Sequence, residues 1–194
     1  MKMWQVAAAV VALAGCAAVG NGEDKKMTSP LSYTMKDIDG KDYDLSKLKG
    51  KVVLFVNVAT NCGNTKQYAT LQDMFTKYEK DGLVIVGVPA NEFGAQEPGT
   101  DEEIKKFCTT KYKVSFPMMS KVVVKGEGQV ALYKTLVEAT PSDKGKVEQV
   151  GWNFEKFLVG RDGKVSGRFK PGLSPDADEV VKAIKAELDK AAPK

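Results

Sequence analysis

The pattern of apolar and polar positions divides most of the chain into short strands and helices. Two nearly continuous apolar runs, at 51–58 and 83–88, are rich in valine and bounded by turn-forming residues, which is typical of buried strands. Between them, apolar side chains repeat at helical spacing from about 66 to 80. This order of strand, helix and strand predicts an α/β fold with a mixed sheet.

Weaker patterns predict the remaining elements. The segments 31–35 and 41–45 flank an Asp-Ile-Asp-Gly turn and predict a β-hairpin. Thr100 and Glu103 have the spacing of a capping box, which predicts a helix that runs to about 111. The other predicted elements are a strand at 118–124, a short helix at 130–137, strands at 154–160 and 164–170 joined by a tight turn, and a helix at about 175–191.

The N-terminal segment differs from the rest of the chain. After Lys2, an apolar stretch runs to Leu13; it is too short to span a bilayer as a helix and is typical of a secretory signal. The string Leu-Ala-Gly-Cys16 that ends it resembles a bacterial lipobox, in which the signal is removed before a cysteine that then carries the lipid. We therefore predict a signal peptide at 1–15, a lipidated cysteine and tether at 16–29, and one folded domain at 30–194. The alternative is an ordinary secretory signal in which the cysteine is incidental.

The composition excludes several kinds of chemistry. The chain has no histidine, so Cys–His nucleophile pairs, histidine bases and histidine metal ligands are ruled out. The net charge is +4 with acidic and basic residues interspersed, so no basic stripe points to nucleic acid. We predict no metal and no cofactor. If lipid occupies one of the three cysteines, two remain, and in an oxidising compartment their number alone favours a structural disulfide.

Cys62 is the most informative candidate for chemistry. It follows the apolar run at 51–58 and precedes the predicted helix, so it lies at the outlet of a central strand. Oriented backbone N–H groups near a helix N-terminus favour a thiolate. The alternative is an inert cysteine in the core.

Three segments around this cysteine and further along the chain resemble the signature blocks of the glutathione peroxidase family in its cysteine form. They are Asn57-Val-Ala-Thr-Asn-Cys62-Gly-Asn-Thr65, Asn91-Glu-Phe-Gly-Ala-Gln96-Glu-Pro-Gly and Gly151-Trp152-Asn153-Phe. They occur in the family's order, and the similarity covers about residues 30 to 185. The resemblance implies a thioredoxin-like fold with an N-terminal β-hairpin. It also implies a peroxidase that reduces hydrogen peroxide and organic or lipid hydroperoxides, and that acts in the response to oxidative stress.

The same resemblance implies the catalytic residues. In the family, a glutamine, a tryptophan and an asparagine donate N–H groups to the reactive sulfur, and the matching positions are Gln96, Trp152 and Asn153. Such neutral donors suit a chain without histidine. Taken singly, Gln96 could be a surface loop residue and Trp152 a core residue. Asn57 and Asn91 also match the motifs, and we expect them to support either the residues around the sulfur or the turns.

Cys108 has two interpretations. It shares the apolar face of its predicted helix with Ile104 and Phe107, so it could be a packed core thiol. In the thioredoxin-dependent members of the family, a resolving cysteine stands in a similar Glu-Glu-Ile-x-x-Phe-Cys segment. The resemblance implies that Cys62 becomes a sulfenic acid, that Cys108 attacks it to form a disulfide, and that a reductant restores both thiols. We expect the helix of Cys108 to unwind locally for this.

The resemblance also implies the partners. The segment between Tyr133 and Trp152 lacks the insertion of the tetrameric, glutathione-using relatives, so we expect a monomer and a thioredoxin-like reductant. The lipobox predicts an anchor on the periplasmic face of a bacterial cell envelope, and Ala17 favours the outer membrane. An anchored enzyme would be within reach of lipid hydroperoxides.

Two other functions remain open from the residues alone. Thiol–disulfide oxidoreductases usually carry Cys-x-x-Cys, whereas Thr65 occupies the second cysteine's place here. A lipoprotein with a structural Cys62–Cys108 disulfide could instead bind or scaffold without catalysis.

Overall fold

The computed structural model describes residues 28–140 and 145–192. The helices and strands in chain order are β1 (Thr34–Lys36), β2 (Asp42–Asp44), β3 (Val52–Val58), α1 (Gln67–Tyr78), β4 (Leu83–Pro89), α2 (Asp101–Tyr112), α3 (Ala131–Glu138), β5 (Lys156–Val159), β6 (Val165–Phe169) and α4 (Asp178–Leu188). The predicted signal, the lipobox with Cys16 and most of the tether lie outside the described residues. In the two described segments, no helix combines the length and apolar character needed to cross a membrane.

The main sheet has the strand order β4-β3-β5-β6. β3 pairs in parallel with β4 and antiparallel with β5, and β6 pairs antiparallel with β5. Every residue of β3 is buried, as expected for a strand covered on both faces. Val52, Leu54 and Val56 pack in a cluster with residues of α1, α2 and α4, whereas Val53 and Phe55 pack in a second cluster with α3 and the hairpin region. The predicted mixed α/β fold is confirmed.

Most of the predicted elements are confirmed within a few residues of their predicted ends. The hairpin forms as predicted, but its strands are shorter because Pro30–Ser32 is a short 3-10 helix. The capping box at the start of α2 is present, with the Thr100 side chain and the Glu103 side chain each bonded to the other's backbone N–H. The last helix begins at Asp178, a few residues later than predicted.

The predicted strand at 118–124 is wrong. Only two isolated bridges form there, one from Met118 to Gly87 and one from Met119 to Asp37. The backbone hydrogen bonds of the segment are divided, since Met119 N–H donates to Gly87 in β4 and Ser120 N–H donates to Lys36 in β1. The segment therefore joins the hairpin to the main sheet instead of extending either.

The strand directions place the signature segments together. The carboxyl ends of parallel strands β3 and β4 and the amino end of antiparallel β5 meet at one edge of the sheet. Two close contacts confirm this arrangement: Phe154 N–H donates to the Asn57 carbonyl over 2.6 Å, and Asn61 N–H donates to the Gln96 carbonyl over 3.0 Å. Three distant parts of the chain therefore form one site.

Candidate active site

The loop between β3 and α1 carries Cys62. The Thr65 hydroxyl fixes this loop, because it accepts from Cys62 N–H over 3.0 Å and donates to the Ala59 carbonyl over 2.8 Å. Cys62 is half-buried, and its Sγ accepts from Asn64 N–H over 3.4 Å. Cys62 is thus partly accessible to small molecules, and a backbone donor faces its sulfur.

Gln96 and Asn153 contact each other beside this loop. The Asn153 Nδ2 group donates to Gln96 Oε1 over 3.0 Å. Asn153 is fully buried, whereas Gln96 is half-buried. Because the oxygen of Gln96 accepts this bond, its Nε2 group is the part of the amide that is left to act as a donor.

Trp152 lies at the rim of the site. It is 42% exposed, and its ring centroid is 5.8 Å from that of Phe93. The neighbouring Gly94 has a φ of +66°, and a Cβ there would come within 3.7 Å of both the indole ring and the Gln96 side chain. These are ordinary van der Waals distances, so the positive φ, and not a clash with the two site residues, is what favours glycine at this position.

Backbone strain is concentrated near the site. In the described segments, three non-glycine residues have positive φ: Ala95 at 51°, Lys113 at 55° and Phe154 at 68°. Ala95 precedes Gln96 and Phe154 follows Asn153. A left-handed backbone is costly for residues other than glycine and persists where the surrounding structure imposes it, often at functional sites.

The structure brings Cys62, Gln96, Trp152 and Asn153 to the same edge of the sheet. The donor that reaches Sγ is the backbone N–H of Asn64, and within the described residues none of the three predicted side chains makes a hydrogen bond to that sulfur. Their convergence on Sγ therefore stays a prediction. Asn91 holds a turn, because its Oδ1 accepts from Glu97 N–H over 2.8 Å. Asn57 lies in β3 and holds a distant segment, because its Nδ2 group donates to the Trp152 carbonyl over 2.9 Å.

Cys108 lies in the last turn of α2 and is fully buried in the apolar cluster against which Cys62 packs. Burial raises the pKa of the Cys108 thiol to about 11, although the nearby Tyr68 hydroxyl acts to lower this pKa; the buried Glu97 carboxylate nearby raises the pKa further. Both cysteines are free thiols in the described part of the chain. In this state Cys108 is a protonated, protected thiol.

A buried ion pair that the sequence analysis missed holds the segment before Trp152. Arg168 pairs with the Glu155 carboxylate, and that carboxylate also accepts from Gly151 N–H over 2.6 Å. The other guanidinium N–H groups donate to the carbonyls of Glu148 and Gln149 over 2.7 and 2.9 Å. The predicted hairpin of β5 and β6 carried the signal for this contact. Its register places Arg168 opposite Phe157, two residues from Glu155.

Comparison with known proteins decides the family. The family model described as glutathione peroxidase matches residues 31–137. The chain belongs to the glutathione peroxidase family. Its predicted resemblance to that family is confirmed.

Two curated members of the family cover most of this chain. One is the thioredoxin/glutathione peroxidase BtuE of Escherichia coli, which is 44% identical over 180 residues that span 84% of this chain and 98% of that protein. The other is the hydroperoxy fatty acid reductase Gpx2 of Synechocystis, which is 46% identical over 159 residues that span 82% of this chain and 99% of that protein. Both alignments extend beyond the range of the family model.

Solved structures agree with the predicted thioredoxin-like fold. One is the crystal structure of T. cruzi GPX1, which matches this chain with a TM-score of 0.67 and 32% identity. The match covers 86% of this chain and 100% of that chain. A thioredoxin-family thiol:disulfide interchange protein from Chlorobium tepidum has a TM-score of 0.57 at 19% identity, over 85% of this chain and 99% of that chain. The second likeness concerns the fold alone.

Proposed function

We propose that this protein is a thiol peroxidase that reduces hydrogen peroxide and organic or lipid hydroperoxides through Cys62. The observation that carries the proposal is the position of a half-buried sulfur at the carboxyl end of β3, with a backbone donor directed at it and the Gln96–Asn153 pair at the same sheet edge. Membership of the glutathione peroxidase family supports the reaction type. The names of the two bacterial relatives support the substrate class.

The first step forms a sulfenic acid. The Cys62 thiolate attacks one oxygen of the peroxide, the O–O bond breaks, and the other oxygen leaves as water or an alcohol after taking a proton. We assign to Gln96, Trp152 and Asn153 the N–H groups that stabilise the thiolate and the leaving oxygen. The hydrogen bond between Gln96 and Asn153 supports this role, because it orients the Gln96 amide.

The second step forms a disulfide. The Cys108 sulfur attacks the sulfenic sulfur, an S–S bond forms as the S–O bond breaks, and the thiol proton leaves with the hydroxyl group as water. Because Cys108 is fully buried and its pKa is about 11, the last turn of α2 has to open before the attack. A thioredoxin-like dithiol then reduces the disulfide, and the protein acts as a monomer.

The choice of reductant gives a test of this cycle. A dithiol protein completes its second exchange within one complex, whereas glutathione needs two successive encounters, so thioredoxin is expected to support turnover at least about ten-fold faster. The measurement is steady-state NADPH consumption with hydrogen peroxide, coupled to either thioredoxin and its reductase or glutathione and its reductase. Cys108→Ser is the control and should lose thioredoxin-supported turnover. Equal or faster turnover with glutathione would contradict the proposed reductant.

We also propose that Cys16 carries a lipid that anchors the protein to the outer membrane on its periplasmic face. The Leu-Ala-Gly-Cys16 string after a short apolar stretch supports this, and several acyl chains suffice for stable anchoring. In a Gram-negative host grown with labelled palmitate, the wild-type chain should carry the label and sediment with membranes, and Cys16→Ala should do neither. Unlabelled, freely soluble wild-type protein would overturn the anchor without affecting the peroxidase proposal.

A further inference from the structure

The end of α2 has an unusual residue in its cap. Lys113 follows the last helical residue with φ 55° and ψ 32°, and its N–H donates to the Cys108 carbonyl. Val114 N–H donates to the same carbonyl over 3.2 Å. This left-handed position at the end of a helix usually belongs to glycine, because any Cβ there comes too close to the backbone. In the described residues the Lys113 side chain makes no hydrogen bond or ion pair that would offset the strain.

Aromatic contacts hold the strained turn closed. The Tyr112 ring lies 5.4 Å from the Tyr68 ring of α1 and 5.7 Å from the Phe107 ring. The Lys111 ammonium group lies over both the Phe107 and Tyr112 rings. The closed turn buries Cys108 completely. The aromatic packing therefore favours the closed turn, whereas the backbone strain at Lys113 favours its opening.

The segment that would open has fixed ends. Upstream, Ile104 is buried and follows the capping box that closes the first turn of α2. Downstream, the Gln72 amide of α1 binds Ser115 through two hydrogen bonds, of 2.8 Å to the backbone N–H and 2.9 Å to the hydroxyl. A cavity of about 130 Å³ lies against the turn, and Cys108 and Val114 are part of its lining. Residues 105–114, which include Cys108, therefore lie between two anchored positions and beside open space.

We propose that Lys113 is a positioning residue of the disulfide-forming step, because its left-handed backbone keeps the last turn of α2 weakly closed and lets Cys108 reach the sulfenic acid on Cys62. The inference rests on the proposed function. The oxidant is the hydroperoxide already consumed at Cys62, and the step releases one water as the S–S bond replaces the S–O bond.

A comparison of Lys113→Gly with Lys113→Ala isolates the backbone effect. Both variants remove the same charge, but only glycine relieves the left-handed strain, so it is expected to lower the open population and slow disulfide formation by about five-fold relative to alanine. The sulfenic acid then persists longer, and a second peroxide has more time to convert it to a sulfinic acid. Neither substitution touches the site of the first step, so the rate of Cys62 oxidation should be equal in both.

The experiment mixes each reduced protein rapidly with hydrogen peroxide, quenches it with a thiol-blocking reagent and quantifies the states of Cys62 and Cys108 by mass spectrometry. The inference is supported if the glycine variant forms the disulfide more slowly and accumulates more sulfinic acid at high peroxide, with unchanged Cys62 oxidation.

The other outcomes separate the inference from the proposed function. Equal rates of disulfide formation in the two variants overturn the role of Lys113 and leave the peroxidase cycle intact. Oxidation of Cys62 without a disulfide to Cys108 overturns both the resolving role and this inference, while peroxide reduction stands. If Cys62 does not react with peroxide at all, the proposed function fails together with the inference.

Discussion

Cys62→Ser is expected to lower the second-order rate of hydrogen peroxide consumption at least about a thousand-fold, because a serine hydroxyl is not ionised at neutral pH and is a weak nucleophile. The substitution changes one atom in a loop whose backbone is held by the Thr65 hydroxyl, so the fold is expected to persist. The measurement is peroxide loss after rapid mixing with the reduced variant.

Cys108→Ser is the matched control, since it makes the same chemical change at the buried thiol. It should retain the first oxidation at close to the wild-type rate and stop at a sulfenic acid that further peroxide over-oxidises. The assignment of the two cysteines would be wrong if Cys108→Ser lost the first reaction or if Cys62→Ser kept it.

Arg168→Met is expected to lower the free energy of unfolding by about 3 kcal/mol, because it leaves the buried Glu155 carboxylate without its charged partner. The pair is well shielded, with Arg168 and Glu155 side chains 16% and 6% exposed. The variant also loses the bonds that hold the 148–149 backbone. Urea denaturation at pH 7 followed by far-UV circular dichroism measures the change.

The double variant Arg168→Met with Glu155→Gln separates the contribution of the ion pair to stability from that of the packing of the Arg168 side chain. It should be more stable than Arg168→Met alone, since the uncompensated charge is removed. Arg168→Met should also slow Cys62 oxidation, because the loop that leads to Trp152 loses its anchor. A loss of stability below about 0.5 kcal/mol would place the pair among surface ion pairs of little effect and contradict this account.

Local signals predicted the elements that depend on neighbouring residues. The capping box at the start of α2 was readable because Thr100 and Glu103 satisfy each other within one turn. The segment at 118–124 has the same apolar character as a strand, but its backbone bonds go to two different partners. That division depends on where the hairpin lies against the sheet, which a linear pattern does not contain.

The residues of the candidate site were predicted from their motifs and not from local periodicity. The signature segments predicted Cys62, Gln96, Trp152 and Asn153 as site residues, and the strand directions explain why these residues meet at one edge of the sheet. The bond between Asn153 and Gln96 and the Asn64 donor to Sγ are tertiary details that no motif specifies.

The burial of charged side chains was the feature that the sequence predicted least well. Lys156 carries a charged side chain in β5, yet it is fully buried, and its ammonium group donates to the carbonyls of Lys170, Pro171 and Leu173. Burial lowers the pKa of Lys156 to about 8. The three carbonyls come from a loop more than ten residues away, so only the folded chain supplies the partners that make this burial tolerable.

The most direct test of the proposed cycle is to mix the reduced protein rapidly with one equivalent of hydrogen peroxide and then count the free thiols at Cys62 and Cys108. The proposed cycle predicts that both thiols disappear together into one disulfide, at a rate orders of magnitude above that of free cysteine. Oxidation no faster than that of free cysteine would contradict it and would favour a protein without peroxidase activity.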